Sequence, residues 1–258
     1  MSKISIVTIN WNNRDGLHRT LQSVADQTHR DFEYLVIDGN STDGSKDLIS
    51  EYSGYIDYSV SEPDGGIYDA MLKGARKARG EWIWFLNSGD ILSSSNAAEE
   101  MSKALRGGVD IFYADYLVKY PDGFVARRSA RDVTPDNIWR GMPTSHQACL
   151  VSRAAILRVG FEKAHGFAAD FGQILAILSS GGSAVRVHCC PVMVEAGGIS
   201  DRRRIESTML HTDIALANSR SIMIRLYWMR RLLDQYIRVT LKRLLPLRLT
   251  VWLRSKLV

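Results

Sequence analysis

Within its first ninety residues this chain alternates four short apolar runs with three amphipathic ones, and few folds accommodate that order. Residues 4–9 are rich in β-branched side chains and read as a strand. Residues 14–25 then place Leu17, Leu21, Val24 and Ala25 on one helical face. The short apolar pattern returns at 33–37, 56–60 and 82–86, with one helix running to about Tyr52 and another over 67–79. Glycines and turn formers punctuate each junction. Strands and helices in strict alternation predict a parallel, doubly wound α/β sheet.

The pattern loosens after residue 108. Residues 109–116 and 123–128 read as antiparallel strands around the turn Pro121-Asp122-Gly123. A strand follows at 148–151, a short helix at 153–159 and a longer helix at 169–180, stopped by Gly181 and Gly182. Residues 184–194 hold one or two further strands. Both parts are expected to share one mixed sheet.

Charge separates the tail from the rest. The 258 residues carry 33 basic and 28 acidic side chains, and ten of the basic ones but a single acid, Asp234, lie after Ser219. The preceding part is therefore mildly acidic, with 23 basic against 27 acidic residues, and offers no basic surface for nucleic acid. From about Arg204 the chain reads as helix. Ile222, Leu226, Met229, Leu233, Ile237 and Leu244 fall on one side, with Arg231, Arg238 and Lys242 opposite and Trp228 and Trp252 among the arginines. Such a basic amphipathic extension suits an anionic membrane surface; packing on the body or on another subunit is the other reading. The three cysteines form neither a disulfide framework nor a zinc spacing, and no secretory signal or membrane-spanning run is read. The expected location is cytoplasmic, peripheral on the inner face of the membrane.

Several carboxylates stand where ligands bind in open α/β sheets, beyond the carboxyl ends of strands. The strand at 82–86 stops at Asn87-Ser88-Gly89-Asp90, where Asp90 is either a helix cap or a ligand for a metal-bound phosphate. Asp38 at the tip of the second strand can accept hydrogen bonds from a base N–H or ribose hydroxyls, or simply form the turn. Thr8 and Asn10 close the first strand beside it. Asp64 and Asp69 flank a helix start, whose partial positive charge alone favours an acid. Asp170 opens the helix at 169–180 as base or cap, with Glu162 as the fallback base. His146 is a hydrogen-bonding or structural histidine. Gly197 and Gly198 with the arginines at 202–204 form a lid over a diphosphate or a connector.

Seven segments carry a resemblance: residues 4–12, 36–44, 64–74, 85–90, 145–147, 168–171 and 197–200. In this order they resemble family 2 glycosyltransferases of the GT-A fold, most closely the branch making bacterial surface polysaccharides of the colanic-acid type. The resemblance implies a GT-A catalytic domain over 1–203, with a nucleotide-sugar half to about 118 and an acceptor half from about 119, and a membrane-associating tail over 204–258. It implies an inverting transfer from a nucleotide sugar, UDP-linked by default, to a polyprenyl-linked saccharide. Asp170 takes the role of base and Asp90 that of ligand to Mg²⁺ or Mn²⁺. Thr8, Asn10, Asp38, Asp64, Asp69, Ser88 and His146 take the donor. Two departures stand out: Ser88 occupies the first acidic position of the DxD-type motif, and Met71 and Leu72 replace an arginine and an asparagine. Lys73 is a partial substitute for the missing positive charge. The competing readings are a nucleotidyltransferase, which needs a glycine-rich loop that residues 10–16 lack, and a catalytically silent binding protein.

Overall fold

The computed structural model describes residues 3–198, 202–219 and 221–244, with side chains to residue 240. Ile199, Ser200 and Asp201 of the expected lid, the side chains of Lys242 and Leu244, and Trp252 lie outside the described residues.

The predicted alternation forms. Strands β1 (Ile4–Asn10), β2 (Phe32–Asp38), β3 (Tyr58–Ser61) and β4 (Trp82–Phe85) are separated by α1 (Arg14–Ala25), α2 (Ser45–Glu51) and α3 (Ile67–Lys77). β1 lies between β2 and β4, parallel to both, and Asn10 is in register with Asp38. β1 is buried along its whole length, as a central strand covered on both faces must be. Helix α3 presses so closely on β1 that a Cβ at Gly74 would stand 2.4 Å from the Val7 side chain.

The main sheet has seven strands in the order β10-β6-β9-β4-β1-β2-β3. β6 (Ile111–Ala114), β9 (Cys149–Ser152) and β10 (Ala184–Val187) extend it, with β9 antiparallel to both neighbours. A single shared sheet is not what forms, however. β5 (Ile91–Leu92), β7 (Tyr116–Lys119), β8 (Val125–Arg128) and β11 (Val192–Glu195) make a second, four-stranded sheet. The run 109–116, read as one strand, breaks at Asp115. There the chain changes sheets, held by the buried Asp115 carboxylate, which accepts from Arg127, Arg186 and the Ala130 amide. Burial opposes that charge, but these donors hold the carboxyl below its usual range. The half-boundary expected near residue 118 falls inside β7.

Helix α4 (Ala97–Ala104) covers one face; α5 (Arg153–Val159) and α6 (Ala169–Ser179) cover the other, together with α3. The tail is helical, as α7 (Arg204–Ala217) and α8 (Ile222–Leu244), but it is not a detached appendage. Ile214, Ala215, Ile224 and Trp228 join the core that contains α6. Trp228, expected among interfacial arginines, is only 2% exposed; its indole N–H donates to the Trp139 carbonyl at 3.0 Å and its ring stacks near His211. An indole with a polar handle is placed best where that N–H finds a partner, and the body supplies one.

Candidate active site

The carboxyl ends of β1, β2 and β4 bring their loops to one edge of the sheet, as the register of three parallel neighbours requires. Asp38 lies on the floor of that edge with no exposed surface. Its Oδ1 accepts from Asn10 Nδ2 at 2.8 Å and from the Ser41 hydroxyl at 2.5 Å; its Oδ2 accepts from the Ser41 amide and the Ser61 hydroxyl. Burial works against this charge, but the bonds from Ser41, Ser61 and Asn10 outweigh it and keep the carboxyl below its usual range. Asn10 passes the connection on, since its Oδ1 accepts from the Ser88 hydroxyl at 2.7 Å. Ser88 also donates to the Ile9 carbonyl, so its hydroxyl is spent on clamping the tetrad to β1. Thr8 is fully buried, its hydroxyl paired with Tyr34 at 3.0 Å. Alternation along the strand turns Thr8 away from solvent, and it supports the floor from beneath.

Asp90 stands at the other end of the tetrad. Gly89, at φ 104°, makes the turn that presents it, and Thr20 of α1 braces the turn through the Gly89 amide and the Asp90 carbonyl. The carboxylate accepts from Gln147 Nε2 at 2.8 Å. Burial raises its carboxyl to about 7, and the charge of Glu195 adds to the rise; the Gln147 bond only partly offsets them. Three residues earlier in the same turn the buried Asn87 Oδ1 has no hydrogen-bond partner. An unpartnered amide oxygen and a carboxylate in the same short turn are a donor set that fits a hard cation, which takes oxygen ligands. Among the described residues no group of three His, Cys, Asp or Glu side chains surrounds a point, so such a cation would need ligands from its substrate.

Gln147 and its neighbour His146 join this end to the next carboxylate. His146 is buried and stacks on Phe85 at 5.6 Å. Burial pushes its imidazole below the usual value, against the opposing pull of the Asp170 charge, so it is a neutral ring near neutral pH. Asp170 lies in the first turn of α6, where its Oδ1 accepts from the Phe171 amide at 2.8 Å and from the Tyr68 hydroxyl at 3.4 Å. Hydrogen bonds thus link Asp38 through Asn10 to Ser88, and Asp90, two residues on, to Gln147, while the Asp170 charge acts on His146, the neighbour of Gln147. Glu162 takes no part; it is exposed and paired with His165 at 3.3 Å.

The loop before α3 divides its two acids. Asp69 accepts from the Gly65 amide at 2.9 Å and so closes the helix start. Asp64 accepts from the Gly66 amide through Oδ1 at 2.8 Å, and its Oδ2 lies 2.7 Å from where a Gly39 Cβ would stand, above the end of β2. Lys73 is committed to Glu62 at 3.0 Å and the Pro63 carbonyl, leaving it in the loop's own bonding rather than over a diphosphate. Met71 is core, 1% exposed, and so makes no contact with a ligand at the edge.

Four residues of this edge were not singled out from sequence: Trp11, Tyr68, Asn87 and Gln147. Trp11 is 71% exposed, and its ring edge comes within 3.3 Å of a Gly39 Cβ position, beside Asp64. A large aromatic left in water at a strand tip is a readable signal, and the run Asn10-Trp11-Asn12 contained it. The other three depend on contacts between distant segments.

Comparison with known proteins identifies the family and the fold. The model of Glycosyl transferase family 2 matches residues 5–164. An uncharacterized glycosyltransferase of Mycobacterium tuberculosis is 33% identical over 182 residues, covering 66% of this chain and 64% of the relative. The poly(ribitol-phosphate) beta-N-acetylglucosaminyltransferase TarP of Staphylococcus aureus is 27% identical over 124 residues, 46% of this chain and 38% of TarP. The chain thus spans less than two thirds of the length of these relatives. Among solved structures, S. aureus TarS in complex with UDP-GlcNAc superposes with a TM-score of 0.62 at 15% identity, covering 82% of this chain and 66% of that one. The mannosyltransferase PcManGT of Pyrobaculum calidifontis, with GDP-Man and Mn²⁺, gives 0.64 at 16% identity over 89% of this chain and 69% of that one. At these identities the likeness concerns the fold.

Proposed function

Because the chain belongs to glycosyl transferase family 2 and has its GT-A fold, we propose that it transfers a sugar from a nucleotide-sugar donor, UDP-linked by preference, to a polyprenyl-linked saccharide with inversion. The observation that carries this reading is that Asp38 and Asp90 emerge at neighbouring strand ends of one sheet edge, Asp38 bonded through Asn10 to Ser88 and Asp90 bonded to Gln147, with the Asp170 charge acting on His146 beside Gln147. Residues up to about 118 supply most of the donor side and later ones the acceptor side. Trp11 offers its exposed face for stacking on the nucleobase, and Asp64 beside Gly39 accepts from ribose hydroxyls. Asp38, Asn10 and Ser88 hold that floor rigid. Asp90, with Asn87, would hold Mg²⁺ or Mn²⁺ together with the diphosphate; a divalent ion there neutralises charge on the departing nucleoside diphosphate.

Asp170 takes the proton. The acceptor hydroxyl loses it to the carboxylate as its oxygen bonds to the anomeric carbon, and the bond to the diphosphate breaks with its electron pair leaving on the nucleotide. Neutral His146 beside it cannot compete as a charged partner for that carboxylate. The reading is tested by incubating the full chain with UDP-GlcNAc, UDP-glucose, UDP-galactose and GDP-mannose, with and without Mn²⁺, and measuring nucleoside diphosphate release. Metal-dependent release from at least one donor is expected. No release from any would favour a binding protein without turnover.

The surface of α8 supports a peripheral membrane location on the inner face, where a polyprenyl-anchored acceptor is met. Ile222, Leu226, Met229, Leu233 and Ile237 are each about half exposed or more, on the side opposite the buried Ile224 and Trp228. At 3.6 residues per turn the exposed Arg225 and Arg230 fall on either side of that stripe. An apolar face flanked by arginines matches a bilayer surface rich in anionic headgroups. No helix of the described residues is long and apolar enough to cross a membrane. Removing the tail outright would be a poor test, because losing the buried Trp228 alone costs about 3–5 kcal/mol. Leu226→Asp with Leu233→Asp changes only exposed positions and should abolish sedimentation with phosphatidylglycerol vesicles. Unchanged sedimentation, or a wild-type dimer that the variant splits, would assign the stripe otherwise.

A further inference from the structure

Tyr68 lies in the first turn of α3, directly after the loop that carries Asp64, yet its hydroxyl reaches across 102 residues of sequence to Asp170. The ring is confined: it packs on Phe161 at 5.0 Å between centroids, and Phe161 in turn contacts Phe85, on which His146 stacks. This aromatic wall lets the hydroxyl approach Asp170 from one direction. Both recorded hydrogen bonds of the carboxylate fall on Oδ1, from Tyr68 and from the Phe171 amide. Among the described residues Oδ2 accepts none.

We infer that Tyr68 is a positioning residue for Asp170, anchoring Oδ1 so that Oδ2 is the oxygen presented to the attacking hydroxyl. The inference rests on Asp170 being the base. Carboxylate χ2 is a soft torsion, and one fixed amide leaves the plane of the group free to tilt; a second donor across the cleft removes that freedom. Tyr68 remains a donor throughout, since burial and then the Asp170 charge push its phenol far above the usual value and it does not itself act as a base. The contact also ties the helix after the donor loop to the helix bearing the base. Catalytic geometry is steeply sensitive to such placement, and a displacement on the order of 1 Å costs about a hundredfold.

The test is a double-mutant cycle on the full chain. The readout is single-turnover nucleoside diphosphate release from whichever donor of the four-member panel the wild type consumes. Tyr68→Phe keeps the ring against Phe161 and should slow the step about tenfold, with UDP affinity by calorimetry unchanged within about twofold. In an Asp170→Asn background the same change should have no further effect, because a residue acting only through the carboxylate has nothing left to position. An unchanged rate in Tyr68→Phe, equal loss of UDP affinity, or multiplication of the two effects overturns the inference. Full turnover in Asp170→Asn alone would instead remove the base on which it rests.

Discussion

Asp170→Asn is expected to slow sugar transfer by about a hundred- to ten-thousand-fold, the range that a positioned general base contributes. Donor binding should survive, because no nucleotide-side group of the sheet edge hydrogen-bonds Asp170; its recorded partners are Tyr68 and the Phe171 amide. An amide at this position keeps size and hydrogen-bond capacity but cannot take a proton. The effect therefore falls on the chemical step and spares the Kd for UDP. Single-turnover product release alongside calorimetry with UDP separates the two quantities. Retained turnover would shift the base elsewhere. Glu162 is a poor substitute, being exposed and engaged with His165.

A second large effect concerns Asp90. With its carboxyl raised to about 7 in the metal-free protein, the unfolded chain at about 3.8 gives up this proton first as pH rises. The folded state consequently loses stability between about pH 4 and pH 7, and the penalty is constant above that window. Three pH units correspond to a ceiling of about 4 kcal/mol, reduced by whatever solvent reaches the carboxylate. Asp90→Asn should therefore raise the melting temperature of metal-free protein at pH 8 and leave it nearly unchanged at pH 4. Mn²⁺ with UDP should stabilise the wild type at pH 8 and fail to stabilise the variant, which should also lose metal-dependent donor turnover. Thermal melts at the two pH values, with and without the ion, decide the matter. Equal melting of both proteins at pH 8 would show that the carboxylate is not an uncompensated charge.

Much of this molecule was legible from its residues in order. The β-branched run at 4–9, the helical spacing of Leu17, Leu21 and Val24, and the abrupt stop after Leu86 report local conformational preference and burial, and those hold before any tertiary contact exists. They fixed four parallel strands and, through parallel register, the side of the sheet where Asp38 and Asp90 emerge. Side-chain direction was another matter. Thr8 and Asp38 were legible as strand-end polar residues, but which of their atoms meet solvent depended on Tyr34, Ser41 and Ser61 arriving from other segments.

The second half shows the same division. Asp115 looks like any residue within a strand, and only Arg127 and Arg186, meeting it from two directions, make it the point where the chain leaves one sheet for another. In the tail, periodicity revealed an apolar stripe and basic flanks, yet it could not say which face the body would cover. The body covered the face of Trp228 because Trp139 and His211 offered its indole a carbonyl and a ring. Sequence alone thus determined the alternating α/β framework and the carboxylates at its strand ends, since chain-local propensity and period encode both. Only the tertiary structure decided that Gln147 would meet Asp90 and Tyr68 would meet Asp170, because such pairings exist only after packing has closed the distance between segments far apart in the chain.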